Sequence, residues 1–88
     1  MSQFGYIDGI ETEWVDTTAD ITFTDGKSYI LQNRGSGLLL IQESSTEPTD
    51  EAGLVLPVYE TYKYTNSTGV KLWAKAVAGT CAMNVVEA

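Results

Sequence analysis

The sequence predicts an all-β domain, a small antiparallel β-sandwich or β-barrel of about seven or eight short strands with an extended N-terminal arm. Three observations carry this. Short β-prone runs are separated by Gly, Asn, Asp and Pro every 8–12 residues or so, the spacing of sandwich and barrel strands. Ser28 to Ile41, SYILQNRGSGLLLI, sets two apolar runs around a short glycine-bearing connection, the pattern of two strands joined by a tight turn. No window keeps a 3.6-residue apolar period over three turns, so little or no helix is expected.

Each element follows in order. Residues 1–13 are polar, with Gly5 and Gly9 among scattered aromatics, and read as an extended arm; residues 14–88 read as one β domain. Ala19 to Thr24 alternates, with Ile21 and Phe23 on one face, and Asp25-Gly26 is a two-residue hairpin signal. Lys27 to Asn33 is the next strand, with Tyr29 and Leu31 sharing a face, and Leu38 to Gln42 follows the Gly35/Gly37 connection. Glu43 to Gly53 is a long acidic loop carrying Pro48. Leu54 to Leu56 precedes Pro57 and suits a short edge strand. Tyr59 to Thr65, Val70 to Val77 and Thr80 to Val86 complete the set.

Composition narrows the function classes. The net charge is −7, from twelve acidic and five basic residues. Such a chain repels phosphate backbones and anionic lipid, so neither nucleic acid nor a membrane is an expected partner. No apolar run approaches the ~20 residues of a membrane helix, and the N-terminus shows no basic and apolar leader pattern. Cys81 is the only cysteine, which leaves no intrachain disulfide and points to a reducing compartment. Histidine is absent, which removes the commonest general base and nitrogen metal ligand. The chain is therefore expected not to be an enzyme, with no catalytic residues, no cofactor and no metal. Glu43, Glu47, Asp50 and Glu51 cluster in one loop, but their spacing fits no EF-hand, and they read as an exposed acidic loop.

The surface residues leave alternatives open. Trp73 lies between Lys71 and Lys75 on one face of its strand. Either it is exposed to a partner, or both strand faces are buried. Tyr59, Tyr62 and Tyr64 pose the same question, with core or edge packing the expectation. Leu38, Leu39, Leu40 and Ile41 do not alternate, so that strand is either central in a two-layer core or covered on its second face by another subunit, and the subunit is the expectation.

The pattern Tyr29-x-Leu31-Gln32-Asn33, a glycine turn, an apolar strand, an acidic loop with Pro48, Gly-x-x-Leu at Gly53 to Leu56 and a late Leu72-Trp73-Ala74-Lys75-Ala76 strand resembles small all-β virion proteins of tailed bacteriophages. The pattern covers residues 19–86 and departs from the family at Pro57-Val58, where Pro-Gly is usual. The resemblance implies a virion structural protein, a capsid decoration or head- or tail-fibre component, assembled in the host cytoplasm. Its partners would be other capsid or tail proteins and copies of itself, as in a trimer. Docking is then expected through the arm (Phe4, Tyr6, Ile7, Ile10), and subunit or ligand contacts through Leu38 to Ile41, Tyr62, Tyr64 and Trp73. The alternative is a module binding a surface glycan or receptor, with Trp73, Tyr62 and Tyr64 beside the 43–53 loop.

Overall fold

The computed structural model describes residues 3–88; Met1 and Ser2, part of the expected arm, lie outside the described residues. The strands are β1 (Gln3–Ile10), β2 (Val15–Asp16), β3 (Ser28–Asn33), β4 (Leu39–Ser44), β5 (Leu54–Leu56), β6 (Thr61–Thr65), β7 (Lys71–Ala76) and β8 (Cys81–Glu87). They form two four-stranded sheets, β1-β8-β3-β6 and β2-β7-β4-β5, in which every pairing is antiparallel. The two sheets face each other as a sandwich. The all-β expectation holds.

The core is the alternate residues of the inner strands. Tyr29 and Leu31 of β3, Leu39 of β4, Leu72, Ala74 and Ala76 of β7, and Met83 and Val85 of β8 are fully buried. At one end the space between the sheets is filled by rings. Phe4 and Phe23 lie 4.7 Å and 4.9 Å from Tyr29, and Phe23 meets Tyr64 edge-on at 5.3 Å. Each such ring contributes roughly 1.5–3 kcal/mol by leaving water, and the tilted and edge-on geometry adds to that.

Three expectations are corrected here. First, β3 and β4 are not a hairpin. Both edges of β3 are taken, by β6 and β8, and β4 pairs with β5 and β7 in the other sheet. The connection between them crosses the sandwich. Asn33 directs the crossing: its fully buried amide donates to Gly37 O (2.7 Å) and Leu56 O (2.8 Å) and accepts from Gly35 N (2.8 Å). Gly35 lies against β8, where a Cβ would stand 2.6 Å from Cys81 Cα, so its glycine serves close approach rather than a hairpin turn.

Second, Ala19 to Thr24 is not a strand. Asp16 caps a short 3₁₀ turn at Thr17–Ala19 through Thr18 N, and the chain then runs irregularly to β3. Ile21 and Phe23 still face the core as their alternation implies, but they sit in no strand, and the Ile21 N–H bonds back to Thr17 O (2.9 Å). Asp25-Gly26 does turn, with Gly26 at φ +80°, and delivers this segment to β3 rather than closing a hairpin.

Third, residues 3–10 are extended but not a separate arm. They form edge strand β1 on β8, and Ile7 and Ile10 are buried in the core that Phe4 flanks. Register shifts between Gln3 and Gly5 and between Ile7 and Ile10 break the two-residue period, with Gly9 at φ +67° inside the second.

Candidate functional site

The outer faces of the two sheets differ, and that difference positions everything a partner could touch. On the second sheet, β7 presents Trp73 and Lys75 outward. Leu40 of β4 lies beside them, paired across to Val55 and Lys75. Leu40, Trp73 and Lys75 are nevertheless buried, at 6%, 7% and 8% exposure. The cover is the acidic loop after β4.

That loop is held as a strap. The indole of Trp73 donates to Ser44 O (3.0 Å), and the indole of Trp14 donates to Asp50 O (3.0 Å). Gln42 donates to Ala52 O (3.1 Å), and the Asp50 carboxylate accepts from Ala52 N (3.2 Å). Glu51 pairs with the Lys75 ammonium, which also sits 5.4 Å from the Trp14 ring centre. Pro48 is buried in the strap, and Gly53, at φ +139°, passes Ile41 O so closely that a Cβ would stand 2.6 Å from it. The strap thus has a packing role. Of its carboxylates, Glu51 is engaged by Lys75 and Asp50 by a backbone amide, and among the described residues no group of three or more acidic, Cys or His side chains gathers around a metal-sized space.

This placement disperses the expected contact residues. Leu39 and Ile41 belong to the core, and Leu40 is covered within this chain, so no second subunit is needed to bury the Leu38 to Ile41 strand; only Leu38 is exposed. Tyr62 and Tyr64 pair with Leu31 and Tyr29 and so point inward. Tyr64 is 1% exposed; its hydroxyl donates to Asn66 Oδ1 (2.5 Å), whose amide donates to Asp25 (2.7 Å). Burial pushes the Tyr64 phenol up to about 12, with the Glu43 and Asp25 carboxylates adding to the effect. Trp73, Tyr62 and Tyr64 therefore form no common platform. Of the expected docking set Phe4, Tyr6, Ile7 and Ile10, only Tyr6 faces solvent.

At the other end of the second sheet, Asp16 joins the 3₁₀ turn to β7. Burial works to raise its carboxyl pKa, but hydrogen bonds from the Thr18 hydroxyl and amide, together with the Lys71 ammonium at 3.3 Å, outweigh this and hold it below its ordinary range.

The first sheet has no strap. Its outer face carries Tyr6, Asn84 and Gln32 in one row across β1, β8 and β3. Where that face meets the crossing after β3, the surface sinks into an open depression of about 440 Å3. Tyr6 and Asp8 come from β1, Arg34 and Ser36 from the crossing, Tyr59 from the turn before β6 and Thr80 from the approach to β8. Sequence reasoning singles out Tyr6 and asks of Tyr59 whether it is packed or exposed to a partner, but it does not bring this site together. Arg34 reads as a turn residue, and nothing local shows that Tyr59 is left-handed, at φ +65°.

Tyr59 is held in that conformation from both sides. Its N–H donates to Asn33 O (2.8 Å), its carbonyl accepts from the Gln32 amide (3.0 Å), and Glu60 N closes the turn onto Pro57 O (3.1 Å). The ring stands 65% exposed with the Arg34 guanidinium 5.8 Å from its centre. No helix among the described residues is long and apolar enough to cross a membrane. No protein-family model, curated protein or solved structure matches this chain.

Proposed function

We propose that this chain is a structural protein of a tailed-phage virion, of the capsid decoration or head- or tail-fibre kind, acting by stoichiometric assembly with virion proteins and with copies of itself. The observation that carries the assembly reading is the free edge of the second sheet. β5 leaves Leu54 and Val55 at 44% and 47% exposure, although the sandwich closes its core without them. Leu38 and Val77, joined by a backbone hydrogen bond (3.1 Å), add two further exposed apolar side chains where β4 begins and β7 ends. An edge strand with apolar side chains and unpaired backbone groups is a template for strand addition. The strand and turn residues of the phage resemblance support the class: they fall on β3, the crossing after it, β4, the strap, β5 and β7. On this reading the protein assembles in the host cytoplasm and resides in the virion.

The test is co-sedimentation of the purified chain with purified phage capsids and tails. Saturable binding at a fixed number of copies per particle is expected. A chain that stays in the supernatant with both overturns the reading.

A further inference from the structure

We propose that the Tyr6–Arg34–Tyr59 depression on the first sheet is a binding site for an uncharged saccharide, entered by a single pyranose ring. This goes beyond the assembly reading and uses different residues. Three observations converge on it. Tyr6 and Tyr59, at 54% and 65% exposure, are the only aromatic side chains among the described residues that stand in solvent; every other one is buried or half-buried. Both line this one depression. A phenol ring offers an apolar face to the C–H face of a sugar and a hydroxyl to its rim.

The second observation is Tyr59's backbone. A left-handed conformation at a non-glycine residue persists only where its surroundings hold it, and such positions gather at functional sites. Three hydrogen bonds hold this one. The ring gains no burial in return, so packing does not explain why a bulky residue occupies a position suited to glycine.

The third is the balance of polar groups. The Arg34 guanidinium and the Asp8 carboxylate both line the depression, and among the described residues neither has an ion-pair partner. Ser36 and Thr80 add hydroxyls that donate or accept. A phosphate or carboxylate ligand would meet Asp8, and a cation would meet Arg34. A polyhydroxylated, uncharged ligand satisfies both. The volume lies within the range of small-ligand sites.

The test is saturation-transfer NMR on the full chain with the methyl pyranosides of glucose, galactose, mannose and N-acetylglucosamine, and a methyl sialoside as acidic counter-probe. Transfer to at least one neutral glycoside is expected, with weaker or no transfer to the sialoside. Tyr59→Gly relieves the left-handed strain while removing the ring. It should weaken affinity at least tenfold and leave the thermal midpoint unchanged or higher; Arg34→Ala should weaken affinity comparably. The proposal is overturned if no neutral glycoside shows transfer, if the sialoside is preferred, or if Tyr59→Gly binds as the parent does. A lowered midpoint with unchanged binding in Tyr59→Gly would assign Tyr59 to the fold instead.

Discussion

Single residues decide how this chain turns its corners. Asn33 is the clearest case, because one buried amide serves three backbone groups in two different segments. Asn33→Ala leaves the buried Leu56 O without its partner, which costs about 1–3 kcal/mol, and also removes the part-buried bonds to Gly37 O and Gly35 N. A loss of about 2–3 kcal/mol is expected in denaturant unfolding, and Asn33→Asp should restore little of it because a carboxylate cannot donate. Tyr64 gives a pH signature. Its phenol titrates near 10 in the unfolded chain and at about 12 in the folded one. The folded state thus favours the protonated form, so this contribution is complete below pH 10 and is lost as pH rises toward 12. Tyr64→Phe, which cannot ionise, should show a shallower fall in stability across that window when unfolding is followed at several pH values. An equal slope in parent and variant would remove Tyr64 from the account of alkaline unfolding.

Elements were legible in the sequence where alternation and burial coincide. Tyr29 and Leu31 on β3 pattern as a one-sided strand and form one; Leu72, Ala74 and Ala76 on β7 face the core as their alternation implies, although Trp73 and Lys75 on the opposite face are buried as well. Alternation misled at Ile21 and Phe23, whose side chains pack inward although their backbone belongs to no strand, the Ile21 N–H bonding instead back to Thr17 O in the 3₁₀ turn (2.9 Å). It was hidden in β1 by two register shifts. The acidic loop shows the limit of local reading most plainly: its residues look like a solvated turn, and what makes it a strap is the pair of indoles from β7 and from Trp14, distant in sequence. The Glu51–Lys75 pair has one largely exposed partner, so Glu51→Gln should cost at most ~1 kcal/mol. Replacing residues 46–51 by a short Gly-Ser link should do more. In a Trp14→Phe background, where Trp73 is the sole indole, emission should shift to the red and acrylamide quenching should rise once the strap is cut. Unchanged emission would mean that Trp73 is shielded by the sheet itself.

At the scale of the whole molecule, pairing order is what the sequence withheld. The Gly35/Gly37 connection has the length of a hairpin loop and the length of a crossing between sheets; only the occupation of both β3 edges by β6 and β8 decides between them. The depression inherits the same limit, since Tyr6, Arg34 and Tyr59 meet only after β1, β3 and the turn before β6 have taken their places. The resulting sandwich has one strapped outer face, one bare outer face and a free apolar edge at β5, and the −7 charge keeps its copies apart unless specific contacts hold them. Assembly through β5 is therefore the central claim. Its most direct test is analytical ultracentrifugation of the parent chain and of Val55→Lys across a concentration series. Val55 points outward, so lysine there leaves the core intact and places a charge on the edge. A parent that sediments as a discrete oligomer, and a Val55→Lys variant that sediments as a monomer with an unchanged thermal midpoint, are expected; a parent that remains strictly monomeric at every concentration would contradict self-assembly through this edge.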